Sequence, residues 1–339
     1  MSTDDLRESS TRVDRSGLSS EPALDPPVTT TRRRWALALL LLPLALTLPA
    51  WLAEDSLEEV SRIGGQSFGP ASAPSIPLDV NESVEHWLEQ FQTTRRAEFE
   101  ALLGQRGVFE GLIRGKLRER NMPEDLLYLA MVESGFSTVA ESRVSAVGLW
   151  QFMDPTARQL GLRVGEYVDE RRDPVRATDA ALDYLEWLRA RFGSWYLAAA
   201  AYNAGPGRLE RILHQHAGGR TGDEDIFWEV LRHLPRETRE YVPRIVAATI
   251  LANDADASGF ARLDVTPYEF DMVFVPGRTR LTTVAESLNV DIGIVRDLNP
   301  HLIRGMTPPG EIYGVRVPVG GIPMVMAYKA QGPSAVRAD

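Results

Sequence analysis

Residues 124–132 read EDLLYLAMV, and residues 133–153 continue as ESGFSTVAESRVSAVGLWQFM. The first stretch is apolar with the spacing of a helix, and it leads directly into the carboxylate of Glu133. The end of a helix and nearby apolar side chains both disfavour a charged carboxylate, so together they raise its pKa. Small and polar residues follow, and glycine among them lets a ligand approach the backbone closely. Because a general acid working near neutral pH needs a raised pKa, Glu133 is a candidate catalytic residue.

The composition limits the classes of protein to consider. The 339 residues are 44% hydrophobic, which is enough for one or two domains with their own cores. The net charge is −10, and the Arg32–Arg34 run is the one basic cluster, so a nucleic-acid partner is not expected. The absence of cysteine excludes disulfides and thiolate metal sites, and the few histidines are scattered, so no metal is expected.

The N-terminal part has the pattern of a targeting segment. Residues 1–31 are polar and predict a disordered cytoplasmic arm. Residues 32–53 place three arginines before an uncharged apolar run, residues 35–53, that is long enough to cross a bilayer. The arginines predict that everything after this run lies outside the cytoplasm. Residues 54–77, rich in glycine, proline and serine, predict a linker.

Two interpretations of residues 32–53 remain open. An uncleaved signal anchor would hold the protein in the inner membrane, with its catalytic domain in the periplasm. A cleaved signal peptide would release a periplasmic protein. The anchor is favoured, because the arm is long for a signal peptide and the residues before the possible cleavage sites fit poorly.

The periodicity of residues 78–255 predicts one all-helical domain. The segment DPVRATDAALDYLEWLRARFG has an N-cap at Asp173, proline in the first turn and Gly193 after the last periodic residue. A second Asp-Pro pair predicts Asp154 as the N-cap of another helix. The pattern changes after this domain: residues 265–319 predict a small strand-helix-helix-strand module, and residues 320–339 a disordered tail. The predicted fold class is therefore mainly α, followed by a small βααβ module.

Four motifs occur in order within the helical domain. They are VESGF at 132–136, ESRVSAVGLWQFM at 141–153, AAYNAGPGR at 200–208 and ETREYVPRI at 237–245. This set resembles the lytic transglycosylases of the lysozyme-like superfamily, and it is most similar to the membrane-bound lytic murein transglycosylase D group. The sequence departs from the family pattern at Ala146, which replaces a glycine, and at Trp150, which replaces a methionine.

The resemblance implies a role for particular residues. Glu133 matches the catalytic acid and base, and Tyr241 matches a tyrosine that approaches it. The remaining matched positions line the sugar-binding cleft, and they are Ser134, Ser142, Gln151, Met153, Thr156, Tyr202 and Asn203. No cofactor is implied. The implied partner is the peptidoglycan glycan strand.

The implied reaction cleaves the bond between N-acetylmuramic acid and N-acetylglucosamine and forms a 1,6-anhydro end without water. Most glycosidases use two carboxylates, but the matched motifs contain only Glu133, because Asp154 reads as a helix cap. Two alternatives remain open. One is a goose-type lysozyme-like hydrolase with the same fold, and the other is a catalytically silent scaffold that binds peptidoglycan.

The C-terminal module resembles a degenerate LysM domain. The stretch FVPGRTRLTTVAESLNV and the later VRDLNPHL and GVRVP follow the βααβ pattern of that family, which binds N-acetylglucosamine chains. The usual Gly-Asp-Thr-Leu is replaced by GRTRL, so the aspartate is lost. The module is either a sugar-binding unit or a purely structural appendage.

Overall fold

The computed structural model describes residues 74–255, 257–261 and 264–331 of the chain. The predicted arm, the segment 32–53 and the linker up to residue 73 lie outside these ranges. Within the ranges, no helix combines the length and the apolar character needed to cross a membrane.

The helical domain consists of helices joined by short turns, in the order that the sequence predicts. The helices are α1 (Glu82–Gln92), α2 (Arg96–Glu119), α3 (Leu127–Ser134), α4 (Asp154–Gln159), α5 (Pro174–Phe192), α6 (Trp195–Ala204), α7 (Pro206–His216), α8 (Asp225–Val230) and α9 (Arg236–Asn253). Short 3-10 turns occur at Glu124–Leu126, Glu170–Arg172 and Leu231–His233. The prediction of an all-helical domain is confirmed.

Two apolar helices, α3 and α6, form the centre of this domain. Leu127, Leu129 and Ala130 of α3 are completely buried, as are the alanines of α6 at 198, 200 and 201. Small side chains allow α5 and α9 to pack closely against α6. Ile76 also lies in this core, so the linker predicted for residues 54–77 ends before it.

Helix caps explain where several elements begin. The Asp173 side chain accepts hydrogen bonds from the backbone N–H groups of Val175 and Arg176, as the sequence predicts. The predicted cap at Asp154 is wrong. Helix α4 begins at Asp154 itself, and its carboxylate pairs with Arg158 one turn later instead of capping the helix.

The C-terminal module has the predicted βααβ order. Strand β1 (Asp271–Val275) pairs antiparallel with β2 (Tyr313–Val317), and α10 (Leu281–Leu288) and α11 (Ile292–Leu298) lie between them in sequence. A further helix, α12 (Ile322–Gln331), follows, and Val325 is buried against the module. The prediction of a disordered tail is therefore wrong for these residues, because Val325 gains apolar contacts that a solvated tail lacks.

The module is joined to the helical domain through a buried ion pair. Both terminal oxygens of Asp173 lie 2.7 Å from the Arg316 guanidinium, and both side chains are almost fully buried. Tyr167 and Val168 of the helical domain pack into the apolar core of the module. The backbone N–H of Asp169 also donates to the His301 carbonyl at 3.0 Å. These contacts fix the module beside the helical domain.

Candidate active site

Glu133 is the last but one residue of α3, at the point where the chain turns away from the core. Gly135 ends the helix with φ of 61°, a left-handed conformation that suits glycine, and its N–H donates to the Met131 carbonyl. The half-buried Glu133 side chain lines a pocket of about 490 Å³. The walls come from α1, α2, α9 and the loop that follows α3, and they include Phe91, Arg95, Glu98, Ser142, Gln151 and Arg244.

Several neighbours act on the acidity of Glu133. Burial is the largest effect and raises the pKa of its carboxyl to about 7. The hydrogen bond from Tyr241 and the positive charge of Arg244 act in the opposite direction, whereas the negative charge of Glu237 raises the pKa further. The resulting pKa leaves the carboxyl partly protonated near neutral pH, as a general acid requires.

Two tyrosines stand beside this carboxyl. The Tyr241 hydroxyl donates to Glu133 Oε1 at 2.6 Å, and the Tyr202 hydroxyl donates to the Trp150 carbonyl at 2.7 Å. Burial raises the pKa of both phenols well above the usual value, and the charge of Glu133 raises it further. Both side chains therefore keep their hydroxyl protons near neutral pH and act as hydrogen-bond donors.

The loop between α3 and α4 is held in shape by the polar residues that the motifs contain. The Gln151 amide donates to the carbonyls of Gly148 and Ala140, at 2.9 and 3.3 Å. Ser142 Oγ accepts from the Ala146 N–H at 3.0 Å, and Ser134 Oγ donates to the Leu149 carbonyl at 2.8 Å. Ser134, Ser142 and Gln151 all line the pocket, so they both shape this loop and face the space beside Glu133.

The other predicted cleft residues occupy different positions. Asn203 bridges α6 and α9, because its Oδ1 accepts from Thr238 at 2.7 Å and its Nδ2 donates to Glu237 at 3.3 Å. Met153 is exposed just before α4, and Thr156 lies on that helix. Among the described residues, Met153 and Thr156 are not part of the lining around Glu133.

Sequence reasoning missed two charged residues of α9 that act on Glu133. Arg244 lines the pocket, and Glu237 affects the acidity of Glu133 from the same helix. They lie three residues after and four residues before Tyr241, which places all three on one face of the helix. This spacing is visible in ETREYVPRI and could have identified both.

The described part of the chain gives no indication of a metal centre. Over these residues, no group of three or more histidine, aspartate or glutamate side chains is arranged to hold a metal ion. The side chains that line or adjoin the site carry carboxyl, guanidinium, phenol, amide and hydroxyl groups.

Comparison with known protein families gives two matches. Residues 112–223 match the transglycosylase SLT domain, and residues 269–333 match the LysM-like domain of lytic transglycosylase MltD. The first match lies within the helical domain, and the second contains both strands of the C-terminal module. The second match includes α12, in agreement with the packing of Val325.

Particular relatives can be named. Membrane-bound lytic murein transglycosylase D of Escherichia coli strain K12 is 34% identical over 199 residues, which are 58% of this chain and 42% of that protein. Soluble lytic murein transglycosylase of the same strain is 32% identical over 124 residues, 35% of this chain and 19% of that protein. The crystal structure of lytic transglycosylase Slt from Pseudomonas aeruginosa is 25% identical, with a TM-score of 0.35, over 43% of this chain and 24% of that one. This chain thus spans less than half the length of these relatives.

Proposed function

We propose that the protein is a peptidoglycan lytic transglycosylase in which Glu133 acts as the single acid and base. The observation that carries this proposal is the Glu133 carboxyl, which has a pKa of about 7 and lines a pocket with the polar residues of the SLT motifs. The SLT domain match and the similarity to lytic murein transglycosylases support the substrate class.

The reaction would proceed in two proton transfers through one carboxyl. Protonated Glu133 donates its proton to the oxygen that bridges N-acetylmuramic acid and N-acetylglucosamine, and the C1–O bond breaks. The muramoyl 2-acetamido group or nearby dipoles stabilise the positive charge at C1. The Glu133 carboxylate then removes the proton of the muramoyl C6 hydroxyl, whose oxygen attacks C1 and closes the 1,6-anhydro ring. The nucleophile belongs to the same sugar, so its close placement supplies several kcal/mol of the rate enhancement.

The neighbours of Glu133 would assist both steps. Tyr241 donates a hydrogen bond to the carboxylate form and stabilises the product of the first transfer. Ser142 and Gln151 offer polar atoms to the sugar substituents, while Tyr202 holds the loop through the Trp150 carbonyl. Asn203 would act indirectly, because it anchors Thr238 and Glu237 about one turn before Tyr241.

A hydrolase with the same fold is the second candidate, because a second carboxylate, Glu237, is close enough to raise the pKa of Glu133. Such a carboxylate could activate a water molecule in place of the sugar hydroxyl. Mass spectrometry of the fragments released from purified cell wall separates the candidates. Anhydro ends are expected; reducing ends would indicate the hydrolase, and the absence of cleavage would indicate a binding scaffold.

The LysM-like module would bind the same glycan beside the catalytic centre. A groove of about 1550 Å³ lies between the helical domain and the module, and Gly135 lines both this groove and the Glu133 pocket. Binding to insoluble peptidoglycan should weaken when residues 269–339 are removed. Unchanged binding would instead assign the module a structural role.

For the location of the enzyme we propose anchoring in the inner membrane through residues 35–53, with the catalytic domain in the periplasm. The arginines at 32–34 before the apolar segment support this orientation. A phosphatase fused after Ala71 should be active outside the cytoplasm, and an inactive fusion would contradict the orientation. N-terminal sequencing of the mature protein separates an anchor from a cleaved signal peptide.

A further inference from the structure

Arg244 presents a charged group to the Glu133 pocket that the proposed reaction does not use. Its guanidinium lies 4.2 Å from the centroid of the Trp87 ring, and the side chain is only partly exposed. Its Nε is buried and makes no hydrogen bond. Across the described residues, Arg244 has no partner in a hydrogen bond or ion pair, although its stacking on Trp87 fixes the position of the charge.

The surroundings leave this charge without a dedicated partner. Arg95 stacks on the same Trp87 ring at 5.3 Å, and its ion pair at 3.5 Å is with Glu98. Glu237 and Glu240 of α9 and Glu98 of α2 act on Arg244 only at longer range. Glu133 is partly protonated near neutral pH, so its negative charge compensates the guanidinium only in part. Among the described residues, the Arg244 guanidinium therefore lies beside the pocket without an ion pair at contact distance.

A partly buried guanidinium with free donors is costly unless a ligand pairs with it. Its planar fork matches a carboxylate, to which it can donate two parallel hydrogen bonds. The pocket that contains Arg244 also contains Glu133, so a substituent of the sugar bound at the acid would lie within reach of Arg244.

We propose that Arg244, with Arg95 beside it, forms a subsite that binds a carboxylate of the substrate. This inference rests on the proposed function. In peptidoglycan the carboxylate has two sources: the lactyl group of a muramoyl residue without a peptide, or an acidic residue of the attached stem peptide. A glycan made only of N-acetylglucosamine carries neither, so the subsite would distinguish peptidoglycan from chitin-like chains.

The test compares Arg244→Gln and Arg244→Lys with the unchanged full-length chain on three substrates. These are peptide-bearing strands, strands freed of peptide by an amidase, and strands whose carboxylates have been converted to amides. For Arg244→Gln we expect KM to rise roughly tenfold or more on a substrate with the recognised carboxylate. Lysine keeps the charge but not the fork, so an intermediate KM is expected. The unchanged chain should bind the amidated strands as weakly as Arg244→Gln does.

The pattern across substrates identifies the source of the carboxylate. An effect confined to peptide-free strands assigns the lactyl group, and an effect confined to peptide-bearing strands assigns the stem peptide. Arg239→Gln is the matched control, because Arg239 lies exposed on the same helix, and its KM should not change. Equal thermal midpoints for the variants exclude an effect through unfolding.

A different result would overturn the proposal. Arg244 lowers the pKa of Glu133, so its removal raises that pKa and extends activity to higher pH whether or not a carboxylate binds. If Arg244→Gln moves only this alkaline limit and leaves KM unchanged on all three substrates, Arg244 adjusts the acid and binds nothing. Failure of the proposed function is distinguishable, because the unchanged chain would then release no anhydro products.

Discussion

At the level of single residues, the hydrogen bond from Tyr241 is one of the contacts that set the pKa of Glu133. Replacing Tyr241 with phenylalanine removes the 2.6 Å hydrogen bond that favours the charged carboxylate. The pKa of Glu133 should then rise above about 7, because the effect of burial remains while a hydrogen bond that lowers the pKa is lost. In a pH profile of kcat/KM, the Tyr241→Phe variant should lose activity at a higher pH than the unchanged chain. Its maximal rate should be lower. A profile displaced to lower pH would contradict the conclusion that Tyr241 lowers the pKa of Glu133.

The sequence indicates Glu133 as the candidate acid, because the apolar helix that ends in this carboxylate lies within the motifs that resemble the lytic transglycosylases. The sequence did not give the cause of the pKa in full. Burial and the helix end were expected, whereas the opposing effects of Glu237 and Arg244 come from a helix about a hundred residues later in the chain. Such proximity depends on tertiary packing, which periodicity alone does not encode. The apolar spacing of α9 predicts its helix but not which helix it faces.

At the level of elements, the loop before α4 depends on Gly148. A Cβ atom at this position would lie 1.9 Å from the Arg171 carbonyl oxygen, and φ is 86°. Gly148→Ala should therefore displace the loop that carries Gln151, lowering the free energy of unfolding by about 3 kcal/mol or more and reducing cleavage of peptidoglycan. Thermal unfolding and activity assays measure both effects.

Gly161 provides the control for this substitution. Its φ is 81°, but a Cβ there would meet nothing within 4 Å. Gly161→Ala should cost only about 1–2 kcal/mol, because it carries the backbone strain without the clash. Equal losses for the two variants would show that close packing on Arg171 is not what Gly148 provides.

The junction between the helical domain and the module depends on the carboxylate of Asp173, which the sequence predicts only as a helix cap. Asp173→Asn keeps the oxygen that caps α5 but leaves the buried Arg316 guanidinium without its counter-charge. We expect a loss of about 3–5 kcal/mol in the free energy of unfolding, and partial recovery when Arg316→Met is added. Denaturant unfolding measures both changes.

A second, more exposed ion pair across the same junction is the control for the cost of losing the buried pair. Arg163 and Glu311 lie 3.0 Å apart but are about half exposed, so Glu311→Gln should cost no more than about 1 kcal/mol. If Asp173→Asn costs as little as Glu311→Gln, the buried pair does not stabilise the junction.

Sequence patterns predict the ends of a helix well where capping residues and apolar periodicity agree. They predict the ends less well where the capping side chain has another partner. Asp173 and Gly193 delimit α5 as expected. Asp154 does not cap α4, because Arg158 is one turn away and binds its carboxylate. Helix α12 was not predicted because its apolar residues follow one another without marking a single face, and its position depends on contact with the module core at Val325.

At the level of the whole molecule, the helical domain should fold without the module. A protein lacking residues 269–339 exposes Tyr167, Val168 and Asp173, but Asp173 then gains water in place of Arg316. We expect a soluble protein with a lower thermal midpoint that still cleaves peptidoglycan. An insoluble product would mean that the module is part of the folding unit of the helical domain.

The overall architecture was predictable because each unit has its own periodicity, whereas the junction was not. The ion pair of Asp173 joins residues 143 positions apart, and neither residue shows an unusual local pattern. The predicted bounds at residues 78–255 and 265–319 leave α12 outside the module and give no indication of how firmly the two units are joined.

The single-acid mechanism is tested most directly by the rate of peptidoglycan cleavage in Glu133→Gln compared with Glu237→Gln. Glutamine keeps the size of each side chain but removes the proton that can be donated or accepted. We predict that Glu133→Gln loses at least about 10²–10⁴-fold in rate, because one carboxyl serves both proton transfers. Glu237→Gln should stay within about tenfold of the unchanged chain, since Glu237 acts only through its charge on Glu133. An active Glu133→Gln variant, or an equally large loss in Glu237→Gln, would contradict the mechanism.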